Sequence, residues 1–201
     1  YLNLIVSGGF VEENINDENN FRNLIWERII CLKDKCKKYG VLQSDVRNTV
    51  ERIVFERASR FVVGVDSDIV DSDILEALKS EEIIVESRNK IRLKYDIFED
   101  ICFERYIDKA FDVCHGSYNV FFDEIEKIGR CIYRRYQIWI SNKLFVQEAR
   151  EKFVYTLLTD NSIEAKWKKQ TEIGIVKSKY CGLFFKEFQE LLDETVVEEL
   201  L

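Results

Sequence analysis

Proline and methionine are both missing from this 201-residue chain. At an average usage of about 5%, roughly ten prolines would be expected. Because proline interrupts helices, its absence favours long helices joined by short polar turns. Methionine does not stand even at position 1, which indicates a piece cut from a longer protein or a sequence that lacks residues.

Long hydrophobic runs are missing as well. No apolar run approaches the roughly 18 residues that a membrane-spanning helix needs, and Tyr1–Val6 lacks the basic region of a signal peptide. The composition, with 46% hydrophobic and 33% charged residues, is ordinary for a globular protein. We therefore expect a cytoplasmic protein with no membrane partner.

Motifs that carry chemistry are absent from the sequence. It contains no glycine-rich phosphate loop, no His-Glu-x-x-His and no nucleophile elbow. Its one histidine, His115, stands in a helix-ending turn, where we expect a surface or capping role. The chain alone is therefore not expected to be an enzyme. Six cysteines without Cys-x-x-Cys spacing predict free buried thiols: Cys31, Cys36, Cys102, Cys114, Cys131 and Cys181.

The sequence is organised around a hairpin pattern. Two apolar runs, Ile83–Val85 and Ile91–Tyr95, flank the polar turn Ser87-Arg88-Asn89, and the second run alternates with period two, as a half-buried strand does. A short helix over Ser72–Ser80 precedes the hairpin, and a long helix follows it without a gap. This order predicts a winged-helix module.

A winged helix commonly reads DNA by placing a helix in the major groove. Here the helix before the hairpin is acidic, with Asp73 and Glu76 against the single Lys79, and the whole chain has a net charge of −7. Phosphate binding needs a basic face. Nucleic acid is therefore disfavoured as a partner, and a DNA-binding regulator is the less favoured alternative.

A loop and a first helix are predicted before this module. Val11–Asn20 is polar and reads as a loop, with Asn19 or Asn20 as the N-cap of the next helix. Apolar residues then recur at spacings of three and four from Phe21, and a basic last turn followed by Gly40 predicts the end of this helix.

A second helix is predicted to begin near Ser44 or Asp45 and to end at Gly64. Beyond it, Asp66–Asp71 reads as a short polar turn, and Ser72 as the N-cap of the helix before the hairpin. One face of the second helix is apolar and predicts a buried stripe: Val46, Val50, Ile53, Val54, Ala58, Phe61 and Val62.

The helix after the hairpin, over Asp96–Cys114, carries acidic residues at every fourth position. Like charges at this spacing repel, so the simplest interpretation is a solvated ridge. The alternative is a ridge that meets basic groups on another module. A metal site is disfavoured, because carboxylates in a straight row do not converge on one ion. The five residues form what we call the acidic ridge: Asp96, Asp100, Glu104, Asp108 and Asp112.

The remaining chain is predicted to be helical over 118–141, 144–158, 162–177 and from 183 to the end. Successive amphipathic helices favour a bundle or a solenoid-like arm, so the predicted fold is mainly α with one small β-hairpin. Six cations are expected on solvated helix faces, with a phosphate or partner contact as the alternative: Arg130, Arg134, Arg135, Lys166, Lys168 and Lys169.

A family resemblance rests on four motifs in this order. They are Tyr1-Leu2-Asn3-Leu4-Ile5, then Phe21 with Leu24-Ile25-Trp26-Glu27, then the predicted winged helix, and finally Ile91-Arg92-Leu93-Lys94-Tyr95-Asp96-Ile97-Phe98-Glu99-Asp100. Together they resemble the region that follows the nucleotide-binding core in bacterial STAND-type P-loop NTPases, relatives of NACHT and AP-ATPase proteins. This resemblance covers residues 1 to about 113.

The resemblance implies three parts: a helical lid segment (1–43), a winged-helix domain (44–114) and a helical arm (115–201). It places Tyr95 and Asp96 near a nucleotide, with tyrosine at the position where the family has a histidine. The nucleotide, ATP or ADP with Mg, would be bound by the parent protein, since this chain has no Walker motifs.

The implied function is regulatory and non-catalytic, a nucleotide-state clamp that links to a C-terminal sensor. The implied partners are an upstream nucleotide-binding domain and downstream sensor repeats, and a homo-oligomer is left open. The alternative is a helical scaffold or protein-interaction module without a nucleotide link.

Overall fold

A computed structural model describes residues 18–192 of the chain. Helix α1 (Glu18–Leu24) continues into a π-helical segment, Ile25–Ile30. The predicted N-caps Asn19 and Asn20 are wrong, because both residues lie inside α1. The predicted loop over residues 11–20 otherwise lies outside the described residues, as does the opening motif of residues 1–5.

The predicted single helix up to Gly40 is also wrong, because the helical segment ends at Ile30. Leu32 has a φ of 51°, a left-handed conformation that no continuing helix contains. Ile30, Cys31 and Leu32 are nevertheless buried, so core packing rather than helix propensity decides the backbone here. A short helix, α2 (Cys36–Tyr39), follows and ends at Gly40 with φ 67°, and this predicted stop is confirmed.

Helix α3 (Gln43–Ser59) buries the predicted apolar stripe from Val46 to Val54. The predicted end at Gly64 is wrong, because α3 ends five residues earlier. Phe61 takes the left-handed conformation, with φ 54°, and the N–H of Val62 donates to the carbonyl of Arg57 at 3.2 Å. This is the hydrogen bond of a Schellman motif, formed with phenylalanine where glycine is usual. Phe61 and Val62 are therefore exposed, contrary to the predicted stripe.

A three-stranded antiparallel sheet follows α3 in the described chain. It contains β1 (Val65–Asp66), β2 (Ile84–Ser87) and β3 (Lys90–Leu93) in the order β1-β3-β2. The predicted hairpin is confirmed, with Ile84 opposite Leu93. Strand β1 replaces part of the predicted polar turn and pairs Val65 with Ile91.

Between β1 and β2 lie a 3₁₀ turn (Ser67–Ile69) and helix α4 (Ser72–Ser80). The predicted helix is confirmed, but its N-cap is Asp71 rather than Ser72. The Asp71 carboxylate accepts hydrogen bonds from the backbone N–H groups of Asp73 at 2.9 Å and Ile74 at 3.3 Å, which satisfies donors that the first turn leaves unpaired.

The second half of the described chain is helical, with more breaks than predicted. The predicted helix over 118–141 is interrupted, because Gly129 takes a φ of 89°. The run predicted over 144–158 contains a π-helical segment, Arg150–Val154. The helices are α5 (Asp96–Val113), α6 (Tyr118–Glu126), α7 (Ile132–Lys143), α8 (Gln147–Ala149), α9 (Tyr155–Thr159), α10 (Ala165–Lys177) and α11 (Cys181–Glu187), and a 3₁₀ turn (Gln189–Leu192) closes them.

The chain divides into two compact units between Phe103 and Glu104, inside α5. The first unit has a mainly aliphatic core, which includes Ile53 and Leu78 and also holds the buried ring of Trp26. The second unit has an aromatic core, in which Phe122 stacks on Trp167 with centroids 4.6 Å apart. The described chain is thus mainly helical with a small antiparallel sheet. Among residues 18–192, no helix is long and apolar enough to cross a membrane.

Candidate functional site

The junction between β3 and α5 carries the two residues predicted to lie near a nucleotide. Lys94 follows the last residue of β3, and its N–H donates to the carbonyl of Ile83 at 2.8 Å. Tyr95 follows with 41% of its surface exposed, and Asp96 is the exposed first residue of α5. Tyr95 and Asp96 are therefore both accessible where a half-buried strand leads into a helix.

Tyr95 is held on two sides. Its ring meets the buried ring of Phe98 edge to face, with centroids 5.3 Å apart. The Nζ atom of Lys94 lies 5.3 Å from the Tyr95 centroid and forms an ion pair with Glu82. Hydrogen bonding to Glu82 raises the pKa of Lys94 above its usual value. The junction thus combines a positioned phenol, a cation and a carboxylate.

A partly buried ion pair, formed by Arg57 and the buried Glu99, lies one turn into α5 and was not predicted from the sequence. Glu99 is 6% exposed, and Arg57 of α3 donates to its carboxylate. Glu99 precedes Cys102 by three residues and Phe103 by four, and both are buried. Because residues at these spacings share a helix face, this pattern is a signal that could have identified the burial of Glu99. The Arg57–Glu99 pair fixes the start of α5 against α3.

The acidic ridge is not uniform along α5. Asp96 and Asp112 are exposed, whereas Asp100, Glu104 and Asp108 are only partly so. A partner could therefore reach the two end residues of the ridge more easily than the three central ones.

Asp108 is engaged within the second unit. Its Oδ1 atom accepts from the indole Nε1–H of Trp139 at 2.8 Å and from Nζ of Lys143 at 3.0 Å. Lys143 also lies 4.8 Å from the Trp139 ring centroid. Asp108 therefore has a structural role in fixing α5 to α7. This residue of the acidic ridge contacts the protein's own α7 rather than being left for a partner.

Several of the predicted surface cations are also paired internally. Lys166 donates to both carboxylate oxygens of Glu126, at 2.6 and 2.7 Å, and Lys169 lies 3.4 Å from Glu172. Arg130 and Arg134 are exposed; Arg130 lies in the turn before α7 and Arg134 in its first turn. Of the cations set apart in the sequence, these two arginines are the most accessible to a partner.

All six thiols are free, as predicted, but the predicted burial is confirmed for only four of them. Cys31, Cys36, Cys102 and Cys114 are free and buried, while Cys131 and Cys181 are free and partly exposed. Burial raises the pKa of the Cys131 and Cys181 thiols, which keeps them protonated and poorly reactive near neutral pH. Within residues 18–192, no cluster of three or more His, Cys, Asp or Glu side chains is arranged to hold a metal ion.

Comparison with known proteins gives a partial likeness but does not show a family. No protein-family model matches the chain. Over 97 residues, 48% of this chain, the sequence is 32% identical to leucine–tRNA ligase 1 of Sulfurisphaera tokodaii. The matched part is 10% of that protein, so the chain spans about a tenth of its length. This likeness does not assign the chain to a family.

Proposed function

We propose that the chain is a regulatory, non-catalytic part of a STAND-type ATPase, in which residues 44–114 form a winged helix that clamps the nucleotide-bound state. The observation that carries this proposal is the exposed pair Tyr95–Asp96 at the β3–α5 junction. In the family it resembles, this junction faces the nucleotide phosphates. An accessible phenol and carboxylate are suited to hydrogen bonding with a bound nucleotide or its metal ion.

The order of elements supports this assignment. Helix α3, strand β1, helix α4 and the β2–β3 hairpin follow one another, and β1 pairs with β3 to give the order β1-β3-β2. This arrangement is the one expected for a winged helix. The helices after α5 would form a bundle or arm that leads to sensor repeats, and the upstream nucleotide-binding module would bind ATP or ADP with Mg.

Acidic residues on α4 favour a protein partner over DNA. Asp73 and Glu76 are exposed, and Lys79 is paired with Glu86. A helix with this surface would repel the DNA backbone. A rigid-body swing of the winged helix, biased by the nucleotide state, is the proposed mechanism.

The test uses the product of the complete reading frame, loaded with fluorescent ADP. We expect Tyr95→Ala and Asp96→Asn to accelerate ADP release, because each removes a group from the nucleotide side. Tyr95→His should slow release, since a protonated imidazole adds a positive charge near the phosphates. Asp112→Asn, at the exposed far end of α5, is the matched control. Equal release rates for all four variants would favour a scaffold without a nucleotide link.

A second candidate function follows from the likeness to a leucine–tRNA ligase. The chain would then be a module that contacts tRNA, and the exposed Arg130 and Arg134 would be candidates for phosphate contacts. Filter binding with unfractionated tRNA tests this at several salt concentrations. Salt-sensitive binding that is lost in Arg130→Glu/Arg134→Glu supports the tRNA role, and its absence leaves the nucleotide clamp.

A further inference from the structure

Helices α7 and α10 run parallel to each other. Three hydrogen bonds join α7 to α10 and to the residue after it, at sequence separations of 35, 33 and 37 residues: Tyr136–Thr171 at 2.7 Å, Gln137–Gln170 at 2.5 Å and Ser141–Ser178 at 3.0 Å. Because later positions on α7 meet later positions on α10, the two helices point the same way. This is how the first helices of successive repeats pack in a solenoid.

The helical segments that follow α7 and α10 show the same relation. Residues 147–159 follow α7, and α11 with its 3₁₀ turn follows α10. Arg150 pairs with Glu187, 37 residues later, and the ring centroids of Tyr155 and Phe188 are 4.9 Å apart. The helix pair is therefore repeated after roughly 34 residues, a period found in solenoids built from helix pairs. Solenoids bind partners along an extended surface.

One side of the α7–α10 contact carries two polar stripes. Gln137 of α7 donates to Gln170, and its Oε1 atom accepts from Nζ of Lys177 at 2.8 Å. Arg134 precedes Gln137 by three residues and Ile138 by four, and Ile173 lies between Gln170 and Lys177 at spacings of three and four. Side chains at these spacings are neighbours on a helix surface. We call this set the paired-helix face: Arg134, Gln137, Ile138, Gln170, Ile173 and Lys177.

The paired-helix face is accessible and basic. Arg134 and Lys177 are exposed, and Ile138 is 45% exposed. Within residues 18–192, no carboxylate lies within ion-pair distance of Arg134 or Lys177. Helices α7 and α10 together contain seven lysines and arginines and a single acidic residue, Glu172, although the whole chain has a net charge of −7. Cations concentrated on two adjacent helices of an acidic chain favour an acidic partner.

Carboxylates on and beside α10 already have cationic partners. Lys166, at the start of α10, lies 2.6 Å from Glu126 and 3.2 Å from Glu164. Glu172 lies 3.4 Å from Lys169. These acidic groups are therefore neutralised locally and leave the charge of Arg134 and Lys177 to a partner.

We propose that the paired-helix face binds an extended acidic segment of a partner protein. Carboxylates of the segment would pair with Arg134 and Lys177. The amides of Gln137 and Gln170 both donate and accept hydrogen bonds, so they suit the main chain of an extended peptide. An apolar side chain of the segment would cover Ile138. This inference does not depend on the nucleotide clamp and would hold for a scaffold as well.

The composition of the face favours a peptide over RNA. Two amides and two isoleucines lie between its cations, and a phosphate backbone has no use for the apolar side chains. Two cations without acidic partners are also few for nucleic acid, since binding strength grows with the number of phosphates that are neutralised.

The experiment measures binding of fluorescein-labelled peptides to the full chain by fluorescence anisotropy. The peptides have about six residues, because an extended length of about 20 Å matches that of α7. The first peptide alternates glutamate and leucine, the second has glutamine in place of glutamate, and the third has serine in place of leucine. We expect a Kd of about 100 μM or tighter for the first peptide and binding about tenfold weaker for the other two.

Variants of the chain identify the face. Arg134→Glu should weaken binding of the first peptide by about tenfold or more, and Ile138→Ser by several-fold. Lys186→Glu and Leu183→Ser are the matched controls on α11, outside the two stripes. Lys186 is exposed, and Leu183 is 42% exposed, close to the value for Ile138. Both controls should bind as the original chain does.

Thermal melts separate binding from folding. All four substitutions change accessible side chains, so each variant should keep a Tm close to that of the original chain. The proposal is overturned if the first peptide does not bind, if the glutamine peptide binds as tightly, or if the controls lose as much affinity as the face variants. It is also overturned if unfractionated tRNA displaces the peptide completely, since the face would then serve RNA.

Discussion

Arg150 and Glu187 form a two-pronged ion pair in the second unit. The Nε and Nη2 atoms of Arg150 lie 2.6 Å from Oε2 and Oε1 of Glu187, respectively. The Arg150 side chain is 5% exposed, and its Nη1 atom donates to the carbonyls of Leu144 at 2.8 Å and Phe145 at 3.2 Å. This guanidinium therefore caps the C-terminal end of α7 and links it to α11.

We expect Glu187→Gln to lower the Tm by several degrees. The change leaves the buried Arg150 charge without its counter-ion, which is the costly way to break such a pair. Glu148→Gln is the matched control, since Glu148 forms an exposed pair with Lys152 in which both side chains are more than 70% accessible, at 73% and 74%. Exposed pairs contribute little. Equal Tm changes for the two variants in thermal melts would contradict this role of Arg150.

The lowered pKa of Glu81 should make the stability of the protein fall at acidic pH. Although burial raises its pKa, hydrogen bonds from Lys35, Tyr39 and Lys38 hold the pKa at about 2. A carboxyl group with a lowered folded-state pKa stabilises above its unfolded value, and that contribution is lost as the pH falls towards the folded value. This lowering of the pKa corresponds to about 3 kcal/mol at most, and the exposure of the lysines reduces the contribution to about 1–2 kcal/mol.

The measurement compares the original chain with Glu81→Gln in urea unfolding at several pH values. The difference in unfolding free energy between the two proteins should have its largest value near pH 7. It should shrink between about pH 4.5 and pH 2. A difference that does not change over this acidic range would show that Glu81 acts through packing rather than charge.

At Gly174, close packing should make alanine destabilising even though the residue lies inside a helix. A Cβ atom at this position would lie 2.9 Å from the carbonyl oxygen of Gln137 and 3.0 Å from Cγ2 of Ile140, so α7 and α10 would have to separate. Alanine is otherwise preferred by about 1 kcal/mol inside a helix. We expect Gly174→Ala to lower the Tm. Gly182→Ala in α11, where nothing lies within 4 Å of an added Cβ, should leave the Tm equal or raise it.

Asp108 and Asp112 are expected to respond differently to substitution, because Asp108 is bonded within the protein and Asp112 is accessible. Asp108→Asn removes the charge that Lys143 and the Trp139 indole share, so we expect a lower Tm and a changed Trp139 environment in tryptophan fluorescence. Asp112 is exposed, and Asp112→Asn should change neither quantity. A chain in which Asp112→Asn is the more damaging variant would contradict this division.

Local patterns in the sequence predicted the main elements of the fold. Period-two alternation in Ile91–Tyr95 after the polar turn Ser87-Arg88-Asn89 predicted the hairpin. In the structure Arg88 and Asn89 take the positive φ values of 52° and 60° that such a turn needs. Apolar spacing gave the buried stripe of α3 from Val46 to Val54. Strand β1 could not be predicted in this way, since two residues carry no periodicity and Val65 is held by its distant partner Ile91.

Breaks in the helices followed from tertiary packing that the sequence conceals. Leu32 and Phe61 take left-handed conformations that favour glycine, so neither residue signals a helix end by itself. The sequence predicted Tyr95 as the end of the second hairpin run and Asp96 as the first residue of a helix; in the structure β3 ends at Leu93, and the helix begins at Asp96 as predicted. The contact of Tyr95 and Asp96 with a nucleotide remains a prediction. The buried Glu99 was missed because the sequence analysis did not place it on either the apolar or the acidic face of the helix.

The most direct measurement of the central claim is the nucleotide content of the protein made from the complete reading frame. The protein would be purified without added nucleotide, denatured and analysed by anion-exchange chromatography. A nucleotide-state clamp predicts stoichiometric ADP, with less retained in Tyr95→Ala. A protein that carries no nucleotide, and whose reading frame encodes no Gly-x-x-x-x-Gly-Lys-Ser/Thr loop upstream of Tyr1, would contradict it.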